Sequence, residues 1–224
     1  LEGEEITFTT QWMEANLVVS GVPSIFRQEP SPDVDIAWRK LADTRPFAIT
    51  REDVLAIGKD PKKSVRFSPE FGLGQETYAG RLDVVHQLHC LDIIRHEAYF
   101  DYYYGEKYPG GFNQTTPKHR AHLSHCIYIL LQNILCNANT DIITHTWTDA
   151  VDHPWPDFNI PHKCHDYETI MDWQHSHGID EEIFLAMKRP EDQEPRKMSS
   201  YFKKINNPQK FGHLDDNLQD GENI

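Results

Sequence analysis

Two short runs in this chain share the form His-x-x-His-Cys. His86, His89 and Cys90 make the first, and His122, His125 and Cys126 repeat it 36 residues on at each position. On an α-helix, residues i, i+3 and i+4 lie on one face, so each run would gather two imidazoles and one sulfur within about 100° of arc. Imidazole is the commonest side-chain metal ligand, and thiolate adds affinity for zinc and cuprous copper. One such run arises readily by accident; two, each followed at once by cysteine, do not. Facing helices would bring four imidazoles around one or two ions. The competing reading is a set of hydrogen-bonded core histidines beside a disulfide. Buried imidazoles need partners, however, and a metal supplies them.

Zinc is the ordinary competitor, but the spacing is not that of a finger or ribbon. No His-Glu-x-x-His run is present to supply a hydrolytic base. Non-haem iron would want two histidines and one carboxylate, which Asp83, Asp92 and Asp166 leave open. Copper suits a set rich in histidine and poor in carboxylate. A third run from Pro161 to Glu168 adds His162 as a further imidazole, with Asp166 and Glu168 as carboxylates that could orient ring N–H groups. His165 reads as solvent-facing, and His119, one turn before His122, as either an extra ligand or a surface residue. Four cysteines allow three pairings. A Cys90–Cys126 bond would staple the two helices and leave Cys136 for Cys164, and disulfides are expected over thiolates beside cupric copper.

These residues need helices to hold them. From Arg81 to Tyr104, Leu82, Val85, His86, His89 and Ile93 recur at helical spacing. Thr116-Pro117 is a helix start, with a hydroxyl N-cap and proline at the first position, opening a helix to about Asn137. After His125 that helix is apolar on nearly every side, which predicts a central, buried element. Ser31-Pro32 starts another helix with Ile36, Trp38 and Leu41 inward, and Thr50 to Asp53 has the capping-box pattern before a short helix to Ile57. The segment 59–80, rich in proline and glycine, reads as a long loop with a strand at Ser64–Phe67, and as a lid or substrate arm. Trp147 and Trp155 join it as candidate pocket walls. Tyr102, Tyr103 and Tyr104 read as packing residues at a helix end in preference to an electron relay. Residues 138–165 look irregular, and short helices follow around Tyr167–Gln174 and Asp180–Lys188. The expected fold is mainly α, a loop-rich single domain built around two metal-binding helices, with few short strands and disulfides. Its parts are an N-terminal arm over 1–30, the metal-binding domain over 31–188 and a polar tail over 189–224.

Composition limits the partners. Net charge −13 argues against nucleic acid and against an anionic membrane surface. Thirteen histidines are an excess that favours a metal protein, with His175, His177 and His213 as incidental surface residues. Asn113-Gln114-Thr115 is a glycosylation sequon, and with the cysteines it tilts the compartment toward the secretory lumen. Leu1-Glu2-Gly3-Glu4-Glu5 does not read like a natural start, so a removed N-terminal membrane anchor is expected.

The chain resembles the UstYa-like family of fungal secondary-metabolism proteins. The resemblance rests on the doubled His-x-x-His-Cys, and extends to Asp35-Ile36-Ala37-Trp38, Leu135-Cys136-Asn137-Ala138, Trp155-Pro156-Asp157-Phe158 and the run from His162 through Glu168 to Trp173. His165 departs from it, standing where the family pattern has arginine. The resemblance implies a copper-dependent oxidase, oxygenase or halogenase acting on unactivated C–H or phenol groups of a peptide or small-molecule intermediate. One or two copper ions would be held by His86, His89, His122 and His125 with His162 as companion, molecular oxygen would be co-substrate, and halide is a further candidate. It also implies a homo- or heterodimer with a family member and a single-pass anchor in the secretory lumen. The rival expectation is a non-catalytic, metal-stapled partner subunit.

Overall fold

The computed structural model describes residues 6–18 and 21–216. The readings placed on Leu1 to Glu5, on positions 19 and 20 of the N-terminal arm and on the last eight residues of the tail lie outside them. In chain order the helices are α1 Pro32–Leu41, α2 Arg51–Ala56, α3 Asp83–Ala98, α4 Phe100–Tyr104, α5 Pro117–Cys136, α6 Tyr167–His177, α7 Glu181–Leu185, α8 Ser200–Asn206 and α9 Pro208–Phe211. The strands are β1 Phe8–Trp12, β2 Phe47–Ile49, β3 Tyr78–Gly80, β4 Thr144–Thr146, β5 Trp155–Asp157 and β6 Pro161–His165. They pair antiparallel as β1 with β6, β2 with β3 and β4 with β5, three two-stranded sheets among the described residues. The mainly helical, loop-rich expectation holds. Strands replace much of the irregular structure expected over 138–165, and α8 and α9 give the polar tail regular structure.

The chain divides into two compact units. The first comprises residues 1–41 and 132–177, the second 42–131 and 178–224. In the first, the Ser31 hydroxyl accepts from the Val34 N–H and starts α1 as foreseen. Val34 and Trp38 are buried from α1, and Met171 and Trp173 from α6. Ile36, expected inward, is 45% exposed, so the apolar stripe of α1 runs through 34 and 38 instead. The Tyr167 hydroxyl donates to the Leu41 carbonyl and ties α6 to the end of α1.

The second unit holds both His-x-x-His-Cys runs. Thr50 and Asp53 form the reciprocal capping box at the start of α2. β2 and β3 approach so closely that a Cβ on Gly80 would stand 2.8 Å from Ile49 Cγ2. Arg81 then donates to the Thr44 carbonyl at 2.5 Å and to Glu181 at 2.5 Å, anchoring the chain just before α3. α3 stops at Tyr99, whose N–H is shared between the Arg95 and His96 carbonyls, and α4 turns back. The Arg95 guanidinium joins Asp92 to the Tyr103 hydroxyl, and Tyr103 stacks on His96 at 3.9 Å. Tyr103 is thus a packing residue, and Tyr104 packs against Phe100 and His119, whereas Tyr102 is 57% exposed.

α5 starts where expected, with the Thr116 hydroxyl accepting from the His119 N–H. Its burial differs from the expectation. Ile127, Tyr128, Leu131, Ile134 and Leu135 are between 47% and 69% exposed, and Cys126 is its one fully buried residue. A helix apolar all round carries no directional signal, so its sequence could not say which side is covered. No described helix is long and apolar enough to cross a membrane.

Candidate metal centre

Two contacts set the register of α3 against α5. His119 Nε2 lies 2.6 Å from Glu97 Oε1, with both side chains nearly buried, and Phe100, Tyr104, Tyr108 and Phe112 surround the imidazole. Toward the other end, Cys90 and Cys126 are fully buried and their thiols lie close enough to perturb each other. As numbering rises along α3 it falls along α5, so the two helices run antiparallel. An antiparallel pair of identical motifs has an approximate local two-fold. The first histidine of each run must then face the second of the other, and the two cysteines must meet near the axis. The structure shows this: the His86 and His125 rings are 5.6 Å apart, and the His89 and His122 rings 5.8 Å. The two pairs adjoin, with His86 and His89 at 6.4 Å.

The pairs are not equivalent. Cys90 Sγ sits 3.7 Å from His86 Nε2, and donor atoms of His86, Cys90 and His125 all lie within 4.8 Å of one another. Ligands at metal–donor distances of about 2.0–2.3 Å stand roughly 3.3–4 Å apart around a tetrahedral ion, so small rotamer shifts would close this set. Two imidazoles and a sulfur form a donor set that copper or zinc accepts and that hard, oxygen-seeking cations do not favour. Burial lowers the proton affinity of His89, aided by His86, and that of His122, aided by His89 and His125. Both rings are thereby biased to the neutral form that ligates. Burial pushes the Cys90 thiol up and the Cys126 thiol up to about 12. All four cysteines are free thiols, with Cys136 exposed and Cys164 half-buried.

A cavity of about 470 Å³ opens beside the rings, lined by His86, His89 and His122 with Thr44, Arg81, Leu82, Asp83 and Glu181. Asp83 Oδ1 is 3.9 Å from His86 Nδ1. Sequence reasoning missed Thr44, Arg81 and Glu181. Arg81 could have been suspected from its place before the first motif, but nothing local links Glu181 to a residue 100 positions earlier.

The remaining expected residues fall as follows. His119 is engaged by Glu97 in an aromatic surround, which matches neither of its two readings, an extra ligand or a surface residue. His162 belongs to the first unit, where its Nδ1 is 2.8 Å from Asp141 Oδ2. The Asp166 carboxylate caps α6 through the Thr169 N–H and hydroxyl, and these bonds hold it below the usual carboxylate range. Glu168 lines a cavity of about 570 Å³ between α1 and α6. Asn113 is exposed in a 3₁₀ turn over Phe112–Gln114.

The comparisons with known proteins agree with the motif. A family model described as mycotoxin biosynthesis protein UstYa matches residues 3–177. The UstYa family oxidase aprY of Aspergillus flavus is 42% identical over 172 residues, covering 75% of this chain and 52% of aprY. The UstYa family oxidases phomYc and phomYc' of Diaporthe leptostromiformis are each 26% identical, covering 80% of this chain and 66% and 59% of their own lengths. This chain thus spans only about half to two thirds of the length of these fungal relatives. No solved structure matches. With the doubled His-x-x-His-Cys built into one pair of antiparallel helices, and the family match running over most of the chain, this protein belongs to the UstYa family.

Proposed function

We propose that this chain carries the centre of a copper-dependent oxidative tailoring enzyme of fungal natural-product biosynthesis. It would functionalise C–H or phenol groups of a peptide or small-molecule intermediate. The observation that supports this most is the convergence of four imidazoles, two from α3 and two from α5, three of which line a cavity open to solvent. His86 and His125 would hold copper with the Cys90 sulfur beside them, and His89 with His122 would hold a second ion or complete the first. Bound copper would supply one-electron chemistry with molecular oxygen as co-substrate, leading to cyclisation, hydroxylation, desaturation or, with halide, halogenation. The chain's own part is positional. The His119–Glu97 pair and the buried thiols fix the helix register, and burial keeps His89 and His122 unprotonated. Arg81, Asp83 and Glu181 offer both signs of charge at the cavity lip to orient a polar substrate.

The same reading assigns the protein to the secretory lumen, with which the exposed sequon at Asn113 is consistent. The exposed apolar side chains of α5 support association with a second family member. The open cavity favours catalysis over a metal-stapled partner role, because a purely structural ion has its coordination filled. The test is oxygen uptake by copper-loaded protein with a reductant. Turnover should fall at least about ten-fold in His86→Ala and in His122→Ala. A copper-loaded chain that consumes no oxygen would favour the partner role.

A further inference from the structure

The second unit contains another cavity, of about 430 Å³, with a charge unlike the rest of the chain. Lys62, Lys63, Arg66, Lys188, Arg189 and Arg196 line it, against Glu194 as the one lining acid. The whole chain has 22 basic and 35 acidic residues, so this wall runs against its composition. The floor is apolar, from Val65, Phe184, Met187 and Pro190 among others. The two walls come from segments more than 100 residues apart and are fixed to each other. Arg66 makes two bonds to the Asp192 carboxylate at 2.6 and 2.7 Å, and the Arg189 guanidinium donates to the Gln193 carbonyl. Gln193, buried, accepts from the Arg66 N–H and donates to the Ser64 carbonyl, filling with its amide the place of a neighbouring strand. Arg66 is therefore spent on structure, whereas Lys62 and Lys188, which also line the cavity, are exposed.

We propose that this cleft docks an acidic segment of a peptide substrate, holding it while another residue of the same peptide is oxidised. Cations on both walls above an apolar floor match an extended chain that alternates acidic and apolar side chains, since successive residues of such a chain point to opposite faces and those on one face stand about 6–7 Å apart. A nucleic acid or an anionic bilayer would have to approach a chain of net charge −13, and a bilayer presents no edge to enter a cleft. A lone inorganic anion would leave the apolar floor unused. The identity of the ligand as substrate rests on the oxidative reading above. Its binding does not require copper.

The test uses metal-free, full-length chain and a fluorescein-labelled peptide of about ten residues alternating glutamate and valine, read by fluorescence anisotropy. The peptide should bind, and binding should weaken as salt rises. The Lys62→Glu/Lys188→Glu variant, with an unchanged melting curve, should bind at least about ten-fold more weakly. The same variant should gain affinity for a lysine–valine peptide. Equal affinity of wild type and variant for the acidic peptide would overturn the proposal. So would absence of peptide binding, or capture by phosphatidylserine vesicles in place of the peptide. Displacement of the peptide by millimolar inorganic phosphate as readily as by unlabelled peptide would reassign the site to small anions. Peptide binding that depends on the two lysines, together with no oxygen uptake on any peptide, would defeat the oxidative reading and leave the docking site standing.

Discussion

At the scale of single residues, the doubled motif acts through which histidine meets which. The antiparallel crossing sends His86 to His125 and His89 to His122, leaving the Cys90 and Cys126 thiols to meet in the interior. His119 shows how a neighbour on the same helical face can be excluded from that set: its ring is spent on Glu97 in an aromatic surround. His119→Ala would leave the Glu97 carboxylate nearly buried and unpaired, costing about 3 kcal/mol in urea unfolding. An unchanged midpoint would show that this pair does not hold the helix register. The cysteines give a second prediction at this scale. In reduced, folded protein at pH 8, iodoacetamide should modify Cys136 readily and leave Cys126 unmodified until the chain unfolds. Cys126 is buried and its thiol is pushed up to about 12, so almost none of it is thiolate. Labelling of both at one rate, read by peptide mass mapping, would contradict the packing between α3 and α5.

At the scale of elements, α3 depends on the short β2–β3 ladder that delivers Arg81 to its anchor. Gly80→Val would drive side-chain atoms into Ile49 and Phe47, and should cost about 1–3 kcal/mol. A variant as stable as wild type would mean that the ladder yields freely. Local chemistry made the helix starts legible: Ser31, Thr50 and Thr116 all cap as their residue types require, because capping depends on neighbours two or three positions away. The doubled motif was legible for the same reason. The side of α5 that is covered was not, because apolar residues on every side specify no direction. Nor could local pattern foresee that Ile36 faces outward, that β6 pairs with β1 across some 150 residues, or that Glu181 reaches Arg81. Those contacts are products of long-range packing.

At the scale of the whole molecule, acid should weaken the metal-free protein before most carboxylates titrate. Burial lowers the proton affinity of His89 and His122 below the ordinary imidazole value of 6.5. The unfolded chain therefore takes up protons first, so the stability these rings leave intact above pH 6.5 is lost as pH falls through the lower, folded-state values. Denaturant midpoints at pH 7.5 and 5.5 should show the drop, and His89→Gln should reduce the difference. Equal or rising stability at pH 5.5 would contradict the burial of these rings. Net charge −13 disfavours polyanions, and against that background the basic cleft, with Arg66 already paired to Asp192, is the face proposed for acidic ligands. The centre itself is tested most directly by copper content and electron paramagnetic resonance of the refilled protein. Wild type should bind one or two coppers in a nitrogen-rich environment, and His86→Ala and His122→Ala should each lose copper or change the signal, one from each helix. Full copper content with an unaltered spectrum in both variants would contradict the assignment of the doubled motif as the metal centre.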